Sequence, residues 1–390
     1  MIIKPKMRGF ICTTAHPVGT SESVRQQVDY IKARPMIQGP QRVLVIGASM
    51  GFGLAARITA AFGAKAGTLG VIFDKPASED RTGTAGWYHT AAFERMAREA
   101  GLYAEHINGD AFSNEVKQEA IERIRSQLGQ IDLLVYSLAS PRRMDPVSGL
   151  TYQSVLKPIG SSYENKTVDF HSGEVTQVKI PEATEEEIAA TVKVMGGEDW
   201  EQWIHTLDQA GVLANGVTTV AFSYIGPEVT QDIYREGTIG RAKDHLEATA
   251  HKLDELLRSK SGRAFVSVNK ALVTQSSSAI PVVPLYISLL YKIMKDLGIH
   301  EGCIEQMHRL FSERLYTQEP VRVDDQGRIR IDDWEMRPEV QTQIARLWDE
   351  VHTANLSEIS DIEGYRKEFY KLFGFGLEHV NYEAEVDPMV

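Results

Sequence analysis

Cysteine is nearly absent: Cys12 and Cys303 are the two in a chain of 390 residues. Neither has histidine or cysteine neighbours at metal-like spacing, so a disulfide framework is excluded and no metal site is expected. Positive charge is scarce as well. Lys and Arg number 42 against 53 Asp and Glu, a net charge of −11. Nucleic acid and anionic membranes, both polyanions, are therefore not expected partners. Long hydrophobic runs are missing too. The most apolar stretch, 279–291, is too short for a bilayer and carries Pro281 and Pro284. The first twenty residues contain basic side chains but no continuous apolar stretch of signal-peptide type. Repeats and low-complexity tracts are lacking, and with 43% hydrophobic and 24% charged residues disordered and fibrous classes are excluded. A soluble cytoplasmic protein is expected.

What is present is an alternation of short apolar runs with longer amphipathic stretches, the βαβ pattern of a parallel sheet. Strands are predicted at 42–46, 68–73, 103–107, 132–137, 217–224 and 263–269, with helices at 53–62, 87–100, 114–128 and 241–257 between them. The alternation breaks at Pro141. From there to Pro181 the chain is rich in Gly, Ser and Pro, and Gly173 divides 166–170 from 175–180 as a hairpin. Thr184 and Glu187 form a capping box ahead of helix 188–195. Past Ser278 the pattern is helical, apart from a hairpin over 321–331 around Gln326-Gly327. No linker separates a free domain. The predicted fold is α/β: one large Rossmann-type domain over 1–390, a doubly wound parallel sheet. An insertion at 141–215 covers the substrate site as a hairpin lid, and a mostly helical extension, 283–390, packs on the core.

The first strand runs straight into Gly47-Ala48-Ser49-Met50-Gly51-Phe52-Gly53. Between a strand and a helix, such glycines allow a tight turn and a close backbone approach to a pyrophosphate resting on the helix amides. Gly47, Ser49, Gly51, Phe52 and Gly53 are thus candidate cofactor contacts. The second strand ends at Phe73-Asp74, where an acidic side chain accepts from the adenosine ribose hydroxyls and repels a 2′-phosphate, so NADH is the expected cofactor. Asp110 with Ala111 follows the third strand, near the adenine. Leu138 and Ala139, in Ser137–Ser140, follow the fourth, beside the nicotinamide ribose.

Tyr224 ends the fifth strand, Tyr234 follows, and Lys243 lies on the next helix. Tyr234 and Lys243 are nine residues apart. On one helix that spacing would place them on opposite faces, so Gly237 and Gly240 are expected to break the helix between them. A tyrosine hydroxyl can stabilise or protonate the enolate formed when a hydride adds to an enoyl thioester, with an ammonium holding the cofactor ribose.

These residues resemble the trans-2-enoyl-CoA reductases and the large enoyl-acyl-carrier-protein reductases of the FabV type, a long branch near the short-chain dehydrogenases. The resemblance rests on 9–17, 47–53, 82–88, Tyr224–Lys243, 272–277 and 332–335, and so covers nearly the whole chain. It implies a monomeric enzyme that uses NADH to reduce the double bond of enoyl-CoA or enoyl-carrier-protein thioesters in fatty acid synthesis. Tyr234 and Lys243 fall on the catalytic positions, with Tyr224 as the second active-site tyrosine. Val273, Thr274 and Gln275 fall by the nicotinamide, and Asp74 stands where relatives often carry Glu. No flavin signature is visible. Two other readings stand beside this one: a ketoreductase or alcohol dehydrogenase on this fold, which would use the same tyrosine and lysine, and a non-catalytic NAD(H)-binding sensor. The first lacks the usual Tyr-(x)3-Lys spacing, and the second leaves the tyrosine–lysine pair unexplained.

Overall fold

The computed structural model describes residues 1–9 and 11–389; Phe10 of the amino-terminal motif lies outside them. Its centre is a seven-stranded sheet in the order Arg328–Arg330, Arg263–Val268, Leu213–Ser223, Ile131–Tyr136, Arg42–Ile46, Gly67–Ile72, Ala104–Asn108. Every pairing is parallel. Strands covered on both faces must be apolar throughout, and Val43–Ile46 and Leu133–Tyr136 are buried without alternation. Strand order reverses between Arg42–Ile46 and Ile131–Tyr136. Their carboxyl ends therefore open the crevice where such sheets bind ligands.

Helices cover both faces. Helix Gly51–Ile58 continues into a π-turn, Thr59–Gly63, and helix Asn114–Arg123 into Ile124–Leu128. Two helices without an expected counterpart complete the layers. Pro17–Lys32 places Val24, Val28 and Ile31 on one buried face. Glu198–Gln209 buries Trp200 and Trp203 beneath the sheet.

Between Tyr136 and Leu213 the chain forms a short hairpin, Arg142–Met144 with Thr151–Gln153, then the longer one predicted, Tyr163–Asp169 with Glu174–Ile180. Gly173 turns the longer hairpin at φ +81. Thr184 and Glu187 make the capping box of helix Glu185–Met195. The apolar stretch near 279–291 becomes the first part of helix Val283–Asp296, apolar all round as far as Tyr291 because it is buried all round there, before Lys292, Lys295 and Asp296 reach the surface. It packs with the longer hairpin and helices Pro338–Glu350 and Ile362–Lys371 in a third core beside the sheet.

The hairpin expected over 321–331 is corrected. Its turn exists, with Gly327 at φ +78 and its N–H donating to Asp324 O at 2.9 Å. Only Arg328–Arg330 forms a strand, and it pairs in parallel with Arg263–Val268. The Asp324 carboxylate binds the Gln326 and Arg328 amides, and the open sheet edge takes the other side of the strand.

Candidate active site

The glycine turn is built by close approach. Gly47 has φ +78, and a Cβ there would lie 2.2 Å from Ser137 O; one on Gly53 would lie 1.9 Å from Gly47 O. No side chain caps helix Gly51–Ile58. Its first-turn amides, which have no partner inside the helix, face the crevice at its positive end. This cradle fits a pyrophosphate.

The neighbouring strand ends deliver the rest of the crevice. Asp74 accepts a hydrogen bond from Thr84 Oγ1 at 2.7 Å, and its backbone is tied to Asn108. A Cβ on Gly86, in the first turn of helix Ala85–Glu99, would lie 2.5 Å from Asp74 Oδ1 and 2.7 Å from Ser49 Oγ. The two polar groups and that helix start therefore converge. Phe73 is 78% exposed, an open aromatic face beside them. Asp110 turns one oxygen onto its own loop, accepting from Phe112 N at 3.0 Å. Ala111 contributes a carbonyl to buried Lys117 and Trp203. Leu138 is half-buried and Ala139 exposed beyond strand Ile131–Tyr136. Across the crevice, Thr274 Cγ2 lies 3.8 Å from the Cβ position of Gly51. The Val273 amide is anchored on Tyr291 Oη at 3.0 Å, while Gln275 is exposed.

Tyr224 and Tyr234 meet edge to face, with ring centroids 5.0 Å apart at 74°. Lys243 lies in the second turn of helix Thr238–Leu257, and its one polar contact among the described residues is a long one, 3.5 Å to Phe222 O. The expected helix break holds at Gly237, which caps that helix, and is corrected at Gly240, which lies inside it. A Cβ on Gly240 would sit 1.7 Å from Arg235 O, so its glycine permits the loop bearing Tyr234 to fold back onto the helix. Burial raises the Tyr234 pKa, so its hydroxyl keeps its proton at neutral pH. Burial lowers that of Lys243 to about 8, against the pull of Glu247.

Glu335, fully buried, was not among the expected site residues. Its Oε1 accepts from Tyr286 Oη at 2.6 Å and Tyr224 Oη at 3.3 Å, and its Oε2 accepts from Ala271 N at 2.8 Å. Burial raises its pKa, while Lys270 nearby and these donors hold it down. Burial and then the Glu335 charge push Tyr224 well up. A hydroxyl in so apolar a helix was the available signal for Tyr286, since buried tyrosines need partners. Glu335 itself is joined to Tyr224 by a contact spanning 111 residues, which no local pattern encodes.

Residues 2–79 match the NAD(P)H binding domain of trans-2-enoyl-CoA reductase, and 81–316 its catalytic region. Residues 323–386 match an enoyl reductase FAD binding domain. That last segment does not fit a flavin. None of its four glycines stands between a strand and a helix, and Gly374 is packed against Thr20 N and His16 O. The chain is 61% identical over 390 residues to an enoyl-[acyl-carrier-protein] reductase [NADH] of Flavobacterium psychrophilum, covering 100% of this chain and 98% of that one. It is 58% identical over 387 residues to a trans-2-enoyl-CoA reductase [NADH] of Ruminiclostridium cellulolyticum, covering 99% and 98%. Among solved structures, the Treponema denticola trans-2-enoyl-CoA reductase in complex with NAD superposes with TM-score 0.96 at 51% identity, covering 99% and 98%. A Clostridium enzyme of the same description, in complex with NADH, gives 0.97 at 47%, covering 100% and 98%. Sequence and fold thus agree over the full length, and the chain belongs to the trans-2-enoyl-CoA reductase family.

Proposed function

We infer that this protein is an NADH-dependent oxidoreductase that reduces the C2–C3 double bond of a trans-2-enoyl thioester to the acyl thioester, in fatty acid synthesis. The observation that carries this reading is the edge-to-face Tyr224–Tyr234 pair at the carboxyl end of strand Leu213–Ser223, with buried Lys243 on the carbonyl of Phe222 in that strand, in a chain of this family.

The amides of Gly47–Gly53, with Ser49 and Phe52, hold the dinucleotide at its pyrophosphate. Asp74, beside Phe73, receives the adenosine ribose hydroxyls, and Asp110 with Ala111 flanks the adenine. Lys243 holds the nicotinamide ribose, with Leu138, Ala139, Val273, Thr274 and Gln275 around it. When bound, NADH supplies the hydride for the β-carbon. Tyr234 keeps its proton at neutral pH, so its hydroxyl donates to the thioester oxygen as negative charge collects there, then serves the α-carbon as proton source. The Lys243 ammonium favours that charge.

The insertion 141–215 acts as the cover of the acyl chain, with the helical extension 283–390 behind it. In support, Tyr163 donates to Val229 O at 3.3 Å in the loop before Tyr234, and Lys166 reaches the end of helix Pro338–Glu350. The substrate carrier is CoA or acyl-carrier protein. No helix among the described residues is long and apolar enough to cross a membrane, and we place the enzyme in the cytoplasm as a monomer.

The test follows NADH absorbance with crotonyl-CoA beside acetoacetyl-CoA, for wild type and Tyr234→Phe. Oxidation with crotonyl-CoA alone is expected, and the substitution should lower kcat on the order of a hundred- to a thousandfold, the usual cost of one oxyanion donor. Turnover of acetoacetyl-CoA instead would make the protein a ketoreductase. NADH binding without turnover of either would make it a sensor.

A further inference from the structure

Tyr224 reaches the site from a strand end, and its hydroxyl hydrogen is directed at Glu335 Oε1, 3.3 Å away. Glu335 is itself immobilised. Tyr286 holds the same oxygen at 2.6 Å, Ala271 N holds the other at 2.8 Å, and Gln341 Nε2 donates to the Glu335 carbonyl at 2.7 Å. Lys270, buried with its Nζ on Ala271 O at 3.0 Å and over the Tyr291 ring at 4.9 Å, supplies a positive charge nearby. An ionised carboxylate is acceptor-only, with no hydrogen to give back. A hydroxyl that donates to it has its single hydrogen committed and turns its lone pairs the other way. Tyr224 is thereby an acceptor towards the site, while Tyr234, with no hydrogen bond holding its hydroxyl among the described residues and its ring set at 74° against Tyr224, is left as the donor.

We propose that Glu335 is a positioning residue for the reduction: by binding the Tyr224 hydroxyl it fixes the tyrosine pair and assigns proton donation to Tyr234. This rests on the enoyl reductase reading above. It also gives the segment 323–386 a part in the reaction through a carboxylate under the active site. The Tyr224 contact is the longest of the three made by the carboxylate, so it is the one expected to yield when the charge is removed. In Glu335→Gln the amide must turn either its NH2 or its oxygen to the tyrosines. With the oxygen kept for Ala271 N, the NH2 faces Tyr224 and reverses its hydroxyl into the site.

Glu335→Gln, Tyr224→Phe and the double variant are compared with wild type on crotonyl-CoA, with NADH affinity by fluorescence and Tm recorded for each. Glu335→Gln is expected to lower kcat tenfold or more, leaving the NADH Kd within twofold. The double variant is expected to match Tyr224→Phe alone, because a residue acting through Tyr224 has nothing left to act on. A role in folding only would instead lower Tm and NADH binding together and add to the Tyr224→Phe loss; either result overturns the proposal, as does an unchanged kcat. Should Glu335→Gln not fold, Glu335→Asp, whose shorter side chain draws the carboxylate away from the Tyr224 hydroxyl, carries the same comparison: kcat is expected to fall with the NADH Kd held within twofold, and an unchanged kcat overturns the proposal. A wild type that binds NADH and reduces no enoyl thioester would instead strike the function and this inference together, which separates the two failures.

Discussion

In the proposed mechanism Lys243 must carry a positive charge that its burial opposes. Its pKa is lowered to about 8 by burial, so the ammonium is present below about pH 8 and lost above it. The sign for stability is the reverse of the sign for function. Unfolded lysine stays charged to about 10.4, so between about 8 and that value the unfolded chain binds a proton that the folded one does not, and stability rises with pH. Cofactor affinity should fall over the same interval. Titrating NADH into wild type from pH 7 to 9.5 should show Kd rising above pH 8, whereas Lys243→Met should bind weakly and without that pH dependence. A wild-type Kd that is flat across the range would remove Lys243 from the ribose.

Among elements, the glycine turn admits little change. A methyl on Gly53 would meet the Gly47 carbonyl at 1.9 Å, backbone against backbone. Gly53→Ala should therefore weaken NADH binding by more than tenfold in a titration, with the substrate site intact in a folded variant. The longer hairpin is coupled differently. Lys166 Nζ donates to the carbonyls of Trp348, Asp349 and Val351 at 2.7, 2.9 and 3.1 Å, closing the end of helix Pro338–Glu350. Hydrogen bonds from a charged group contribute about 1.5–3 kcal/mol. Lys166→Ala should lower Tm by several degrees in a thermal melt and reduce turnover of long acyl chains more than NADH affinity. The strands, the turn and the hairpin were legible because each is set by local chemistry: unbroken apolar runs, glycines at forced contacts, Gly173 at positive φ. Helix Glu198–Gln209 carries local signals as well, acidic Glu198 and Asp199 at its start and Trp200, Trp203, Ile204 and Leu207 on one apolar face, but it lies within 141–215, where the broken βαβ alternation points to an insertion rather than a layer helix. The partners of Tyr224 were out of reach for another reason: its edge-to-face neighbour is local, but its carboxylate comes from another part of the fold.

At the scale of the whole molecule, a parallel sheet must end somewhere, and unpaired strand edges are templates for joining other chains. One end here is Arg328-Ile329-Arg330, three residues long, with both arginines in ion pairs, to Asp324 and Glu247 for Arg328 and to Asp332 and Asp324 for Arg330. The other, Ala104–Asn108, carries Glu105 paired to Arg123 and His106 beside Glu94. Charge and brevity leave neither edge free to zip onto a second copy. The consequence is colloidal rather than catalytic: the protein should remain dispersed at high concentration and on gentle warming. Replacing Arg328 and Arg330 together by Thr should bring light scattering on at a lower temperature than the loss of helical signal, whereas the wild type should cloud only as it unfolds.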